Sequence, residues 1–263
     1  HIKFLLPLLL ATTLSHAQEI AFTFDDAPLT DEHVYKGSER AKRLIETLAQ
    51  HNLQAAFFVN TRTFGEPGRK ERIKAYSDAG HIIANHTHSH PSLNQTPVGD
   101  YIKSIDTAHE ALKFFATFKP WFRYPYLHEG KTIEDRDSVR AHLKAIGYRN
   151  GYVTIDNYDY FINDLVQKAL AQGKMVHFDR ACKMLIDLLW EGIRYYDSVA
   201  LKHIGRVRHV LLMHENDIEA LCLDKLIAHL HKNGWKIVSP QRAFDDPLLA
   251  TAEPETLYLN QGR

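Results

Sequence analysis

The 263-residue sequence has no excess of charge of either sign and only two cysteines. Lys and Arg together number 32, as do Asp and Glu, so the formal net charge is zero with histidine neutral. Such a balance provides no overall attraction to nucleic acid or to an anionic membrane, and it favours a neutral polymer or a small molecule as ligand. Cys182 and Cys222 could pair in an oxidising compartment, but their spacing alone does not establish a bridge.

The apolar stretch near the N-terminus is too short for a membrane-spanning helix, which needs about 20 residues. It follows Lys3, covers residues 4–14 and leads into Ser15-His16-Ala17, which has small residues at the two positions that a signal peptidase reads. This pattern predicts a signal peptide, residues 1–17, cleaved after Ala17. We therefore expect a secreted or periplasmic protein without stable membrane insertion, the alternative being an uncleaved anchor.

Residues 18–263 contain no Gly/Ser-rich linker and no repeat of 20 to 50 residues, which predicts a single domain. Short apolar runs alternate with longer segments of helical periodicity. The predicted strands are 20–24, 55–59, 81–85, 121–125, 152–155, 209–213 and 235–238. The predicted helices are 38–50, 69–79, 98–115, 133–145, 161–171, 175–203 and 218–232. We also expect a helical insertion at about 175–205 and an extended tail after Phe244.

Regular alternation of strand and helix predicts an α/β fold with a parallel sheet covered by helices. The sheet could be closed as a barrel or open and doubly wound, and the pattern favours neither. In both cases the active site lies at the carboxyl ends of the strands. Polar residues just after predicted strands are therefore the first candidates for function.

The first predicted strand ends in two adjacent carboxylates, Asp25 and Asp26. Unpaired negative charge is costly directly after an apolar run, so the pair calls for a cation. Taken alone, an Asp-Asp pair is more often explained by one residue capping the next segment while the other is solvated.

The third predicted strand is followed by a cluster of three histidines. His86 and His90 are four residues apart, a spacing that places both imidazoles on one face of a helical turn, with His88 directed elsewhere. Together with one carboxylate they would form a metal site with room for water, a donor set that suits Zn²⁺ best. The sequence therefore predicts one divalent metal ion.

Four motifs in this order resemble those of the NodB-like polysaccharide deacetylases, carbohydrate esterase family 4, and the resemblance extends over residues 19–244. They are Thr23-Phe24-Asp25-Asp26, His86-Thr87 with His90, Arg123-Tyr124-Pro125-Tyr126, and Leu212-Met213-His214. The resemblance implies a distorted (β/α)7-type barrel with parallel strands.

The resemblance also implies a role for each matching residue. It makes Asp26, His86 and His90 metal ligands and Asp25 the general base, held ionised by Arg123. A base that takes a proton from water and an ion that polarises a carbonyl are what hydrolysis of an amide requires.

Further matches concern the oxyanion and the pocket. The resemblance implies that Tyr124 offers its backbone N–H to the oxyanion and that Leu212 lines the pocket for the acetyl methyl group. Tyr126 is expected to line the substrate pocket, since aromatic rings stack on sugar faces.

His214 corresponds to the family's general acid, which protonates the departing amine. The family's Asp-Trp motif is met less closely, and we align it with Asp159 and Tyr160, so that Asp159 keeps His214 protonated. Tyr160 stands where the family has Trp, which changes the size and polarity of the acetyl pocket. Asp156, the first residue after the predicted fifth strand, is the competing candidate for the role of Asp159.

The sequence thus predicts a metal-dependent hydrolase that removes acetyl groups from N-acetylglucosamine-containing polysaccharide. Peptidoglycan is the first substrate to consider and a chitin-like glycan the second, a ranking that depends on the expected export and on no residue. The alternatives are an O-deacetylase of the xylan type, a glycan-binding protein with the same barrel and no turnover, and a periplasmic metal-binding protein without a sugar substrate.

Overall fold

A computed structural model describes residues 17–250, which form a parallel sheet surrounded by helices. The strands are β1 Glu19–Ala27, β2 Ala56–Val59, β3 Ile82–Asn85, β4 Phe118–Phe122, β5 Arg149–Asn150, β6 Arg208–His214 and β7 Lys236–Ile237. The α-helices are α1 Gly37–Gln50, α2 Arg69–Asp78, α3 Val98–Leu112, α4 Ile133–Ala145, α5 Asp159–Ala171, α6 Phe178–His203, α7 Asp217–Lys232 and α8 Pro240–Phe244. A 3₁₀ turn covers Pro125–Leu127.

All described strand pairs are parallel, as the alternation of strand and helix predicts. The strand order is β5-β4-β3-β2-β1-β6, and β7 pairs with the start of β1. The strand β1 is buried along almost its whole length, which explains its nearly continuous apolar sequence up to Phe24. Its carboxyl end lies between those of β2 and β6.

The prediction of a fifth strand at 152–155 is wrong. The strand is the two-residue β5, and residues 151–155 form no ladder, with one isolated bridge between Ile155 and Leu211. The N–H groups of Thr154 and Ile155 both donate to the carbonyl of Val210. This segment thereby connects the β5 side of the sheet to β6, so that the sheet curls into the distorted barrel expected from the resemblance.

Gly151 begins this segment and lies against the ring of Phe58 and the strand β4. A Cβ atom there would lie 2.4 Å from the ring of Phe58 and 3.1 Å from the carbonyl oxygen of Phe122. Its N–H donates to that same carbonyl. Only glycine fits a position where the backbone approaches a ring and a strand so closely.

The predicted insertion is the helix α6, which begins at Phe178 rather than at residue 175. Its buried residues recur every three or four positions, so one apolar face packs against α5 and α7. A disulfide joins Cys182 of α6 to Cys222 of α7, with the Cα atoms 5.3 Å apart. The pairing that the sequence leaves open is therefore present in the structure.

The described part of the C-terminal tail is not extended. The helix α8 begins after Ser239, whose Oγ accepts a hydrogen bond from the N–H of Arg242, and residues 247–250 form turns. The rest of the tail and the predicted signal peptide, apart from Ala17, lie outside the described residues. Within 17–250, none of the helices combines the length and the apolar character needed to cross a membrane.

Candidate metal centre and active site

The strand β1 is irregular at its carboxyl end, where the two carboxylates lie. Pairing of β1 with β2 shifts register between Phe24 and Ala27, and Asp26 adopts a left-handed backbone conformation with φ of 64°. Asp tolerates this conformation better than most residues do. The Cα of Asp25 remains paired with that of His214 in β6. Successive side chains of a regular strand point to opposite faces, and this irregularity lets both carboxylates line one cavity while they make different contacts.

Asp26, His86 and His90 form a cluster suited to a metal ion. The Oδ1 of Asp26 lies 3.1 Å from Nε2 of His90 and 3.6 Å from Nε2 of His86. One ligand atom from each of the three residues lies within 4.8 Å of the others. Two imidazole nitrogens and one carboxylate oxygen on one side of an ion leave open positions on the other, as a catalytic site requires.

The expectation that His86 and His90 share a helical turn is wrong. Residues 86–90 form a loop in which Thr87 and His90 both have positive φ, 69° and 54°. The N–H of Thr87 donates to Oδ1 of Asn85, and the N–H of His90 donates to Oγ1 of Thr87. These bonds stabilise the loop, and His88 is directed away as predicted, with Nδ1 2.9 Å from Oγ1 of Thr61.

The protonation state of His86 suits a metal ligand. Its Nδ1 lies 2.8 Å from the carbonyl oxygen of Arg123, an acceptor that requires Nδ1 to carry a proton. Burial lowers the pKa of His86 to about 4, so the ring is neutral at physiological pH and Nε2 presents a lone pair toward Asp26. A second hydrogen bond that sets the tautomer is typical of metal-binding histidine.

Asp26 supplies the negative charge of the cluster. Burial raises the pKa of its carboxyl group, but the hydrogen bond and the charge of His90, with His86 and His214 nearby, outweigh burial and hold the pKa well below its usual range. The carboxylate is therefore ionised. The donor set fits a divalent cation.

Asp25 is buried and bound by Arg123. The Nη1 of Arg123 donates to Oδ1 of Asp25 at 2.6 Å and also to Oγ1 of Thr23 at 2.8 Å. Its Nε donates to the carbonyl of Gly151, and its guanidinium lies 3.9 Å from the centre of the Phe58 ring. This charge-assisted hydrogen bond fixes the carboxyl group of Asp25 beside the metal-binding cluster, where a general base is needed.

His214 is bound by Asp159 through two of its atoms. The Nδ1 of His214 lies 2.7 Å from Oδ1 of Asp159, and its N–H donates to Oδ2 at 2.8 Å. Burial opposes the charge on the ring, but Asp159, aided by Asp25 and Asp26, raises the pKa of His214 to about 10. His214 is therefore an imidazolium at neutral pH.

The competing candidate Asp156 does not make this contact in the structure. Its Oδ1 accepts the N–H of Asn157, and its side chain lies at the same cavity. Burial raises the pKa of Asp156. The alignment of Asp159 with the family motif is thus the one that places a carboxylate on His214.

These groups surround one cavity of about 560 Å³. Leu212, Tyr126 and Tyr160 line it, as the sequence predicts. The ring centres of Tyr126 and His90 are 4.6 Å apart, and those of Tyr160 and His214 are 5.7 Å apart. Tyr124 does not contribute its side chain, which packs against Tyr101 and Phe122. Its predicted role concerns the backbone N–H and stays a prediction.

The sequence reasoning missed a buried charged network behind the wall of the cavity. Arg40, on α1, lies 3.0 Å from Asp217 and 3.5 Å from Glu215, and it donates to the carbonyls of Leu29 and Thr30. The N–H of Leu29 donates to Glu215. The network therefore fixes the loop after β1. In the sequence, the feature that indicates this network is the run of four polar residues from His214 to Asp217 directly after an apolar strand.

Comparison with known proteins agrees with this geometry. The sequence model of the polysaccharide deacetylase family matches residues 15–151, just over half of the chain. The chain belongs to the polysaccharide deacetylase family. The match includes the family motifs from Thr23 to Tyr126, and the His214 motif lies beyond it.

Two curated relatives within the family are similar over part of the chain. A peptidoglycan-N-acetylglucosamine deacetylase from Bacillus cereus is 34% identical over 121 residues, 45% of this chain and 38% of that protein. A chitin deacetylase from Colletotrichum lindemuthianum is 28% identical over 145 residues, 54% of this chain and 52% of that protein. The chain thus spans about half the length, or less, of these relatives.

A solved structure of the family supports the fold. The carbohydrate esterase family 4 pseudoenzyme from Bacillus anthracis has a TM-score of 0.57 at 18% identity, covering 87% of this chain and 66% of that chain. At this identity the similarity shows the parallel (β/α) barrel architecture only.

Proposed function

We propose that the protein is a metal-dependent deacetylase that removes acetyl groups from the N-acetylglucosamine units of a polysaccharide, most simply peptidoglycan. The observation that carries the proposal is the arrangement around one cavity of three parts. These are the Asp26, His86 and His90 cluster, an arginine-bound Asp25 and an aspartate-bound His214.

Asp26, His86 and His90 would hold the ion, and Zn²⁺ suits this donor set best. When bound there, the ion would polarise the acetyl carbonyl and make water more acidic. The tautomer of His86, which keeps Nε2 unprotonated, is already the one that binding requires.

The remaining steps are proton transfers by the chain's own residues. Asp25, held by Arg123, accepts the proton of the attacking water. His214, charged because of Asp159, donates a proton to the departing nitrogen, since an amine leaves an amide poorly without protonation. Acetate and a free amine on the sugar are the products.

One feature supports the proposed class of substrate and another supports the proposed location. Relatives named as peptidoglycan and chitin deacetylases favour an N-acetylated glycan over an acetylated xylan. We also propose that the protein is exported to the periplasm or beyond, and the disulfide between Cys182 and Cys222 supports an oxidising compartment.

The decisive experiment measures acetate release from peptidoglycan and from chitin oligomers, before and after chelation, with acetylated xylan in parallel. We expect release from an N-acetylated substrate that chelation abolishes and added Zn²⁺ restores. The Asp25→Asn variant keeps the shape of the side chain and should bind metal as the wild type does, yet lose activity. Activity that survives both chelation and this substitution would refute the mechanism.

A non-catalytic glycan-binding protein is the second candidate, because a pseudoenzyme is among the structural neighbours. This chain has both the Asp25–Arg123 pair and the His214–Asp159 pair that the proposed proton transfers use, which argues against this candidate. Binding of chitin oligomers with no acetate release from any of the three substrates would favour this candidate instead.

A further inference from the structure

Glu219 is a buried acid without an evident counter-charge. It lies in the first turn of α7, where its N–H donates to Oδ1 of Asn216, and its side chain is fully buried. No N–H or O–H group in the described part of the chain donates a hydrogen bond to either carboxyl oxygen. The nearby acids Glu215 and Asp217, by contrast, both lie against Arg40. An unpaired buried carboxylate is costly, so Glu219 calls for an explanation.

Two titratable groups near Glu219 are Asp159 from α5 and His214 from β6. Burial raises the pKa of Glu219 well above its usual range, the negative charge of Asp159 raises it further, and His214 opposes them. A fully buried carboxyl group that receives no hydrogen bond is more stable as the neutral acid, which has one O–H to donate. The adjacent anion is Asp159.

The carboxylate of Asp159 has room for that donor. Its Oδ1 accepts from the N–H of Tyr160 and bonds Nδ1 of His214, both at 2.7 Å. Its Oδ2 accepts the N–H of His214 at 2.8 Å but only a long contact, 3.4 Å, from Nδ2 of Asn216. Since each carboxylate oxygen accepts about two hydrogen bonds, Oδ2 lacks one strong donor.

We propose that Glu219 is a positioning residue, a neutral acid whose O–H donates to Asp159 and holds that carboxylate against His214. The inference rests on the proposed function, in which His214 is the general acid. Glu219 does not touch the substrate and acts only through Asp159. A protonated acid behind the aspartate fixes its orientation without adding a second negative charge.

The test compares Glu219→Gln, which keeps a neutral donor, with Glu219→Met, which has similar length and no donor. We expect the Met variant to lose about tenfold in kcat with KM unchanged, as a misplaced general acid would. The Gln variant should recover most of that loss. Asp224→Asn, on the exposed side of the same helix, is the control for loss of a carboxylate and should be unchanged.

Two spectroscopic measurements test the inference independently of activity. The infrared band of a protonated carboxylic acid should be present in the wild type at neutral pH and lost in Glu219→Gln. The proton resonance of Nδ1–H of His214, which reports its bond to Asp159, should be unchanged in the Gln variant and shift upfield in the Met variant.

Failure of the proposed function and failure of the inference about Glu219 give different results. A wild type that releases no acetate refutes the proposed function, while the infrared band and the His214 resonance still decide the inference. No loss of the acid band in Glu219→Gln, or a His214 resonance that is the same in all three proteins, overturns it. If the Met variant does not fold, the band in the Gln variant decides.

Discussion

His214 and Asp159 are joined by two hydrogen bonds although they are 55 residues apart in the sequence. One bond involves the backbone N–H of His214 and the other its Nδ1, at 2.8 and 2.7 Å. The same carboxylate therefore fixes both the position of the residue and the charge of its ring, and this pairing leads to the first prediction.

Replacing Asp159 with asparagine should lower the pKa of His214 from about 10, because burial then outweighs the remaining attraction of Asp25 and Asp26. His214 would lose its proton at a lower pH, and the alkaline limb of the kcat profile would move to lower pH. At neutral pH we expect kcat to fall by about 10²-fold. The measurement is acetate release as a function of pH. A larger effect of Asp156→Asn would show that Asp156, not Asp159, has this role.

Arg123→Met should destabilise the protein as well as inactivate it. The substitution leaves Asp25 buried without its cation, an arrangement that costs about 3–5 kcal/mol. Urea unfolding would measure the change in the free energy of unfolding. Arg149→Met is the control, because Arg149 pairs with Asp245 at an exposed site where an ion pair contributes about 0–1 kcal/mol. Equal losses for both variants would contradict the prediction.

The three histidines after β3 should differ in metal binding. His86→Ala and His90→Ala each remove a ligand atom from the cluster and should lose most of the bound ion together with activity. His88→Ala should retain both, since His88 contacts Thr61 outside the cluster. Elemental analysis by mass spectrometry would measure the metal content per chain. Retention of the ion in the first two variants would rule out this site.

The disulfide should matter for stability and not for chemistry. Cys182 and Cys222 are 40 residues apart, and closing a loop of that length stabilises the folded state by about 4 kcal/mol when the chain entropy alone is considered. The double substitution of both cysteines by serine should therefore lower Tm, while kcat at 25 °C stays near the wild-type value. Thermal unfolding and acetate release would measure the two effects. A fall in kcat without a change in Tm would mean that α6 acts on the active site.

Most of the fold and the centre of the site could be predicted from the sequence because both depend on local pattern. Apolar runs alternating with amphipathic segments indicate parallel strands covered by helices. Carboxyl ends of parallel strands meet at one edge, so the order of the motifs along the chain is enough to predict that Asp25, Asp26, His86 and His214 lie together. The family motifs added the closure of the sheet and a role for each residue.

Local pattern failed where conformation depends on distant partners. The residues 152–155 have the apolar character of a strand, yet their hydrogen bonds go to β6 and to Arg123. A second failure is short-range: the spacing of His86 and His90 suggests a helical turn, but the N–H groups of Thr87 and His90 donate to the side chains of Asn85 and Thr87, and a loop forms instead.

Patterns and motifs along the chain were enough to give the class of fold, the family and the residue types that meet at the strand ends. The folded structure was needed to show that Asp159 rather than Asp156 binds His214, that Cys182 pairs with Cys222, and that Glu219 is buried beside Asp159. Each of these contacts joins residues at least 40 positions apart, and no periodicity within a strand or helix encodes such a distance. Packing of α5 and α7 against the sheet, and of α6 against both of these helices, brings them together.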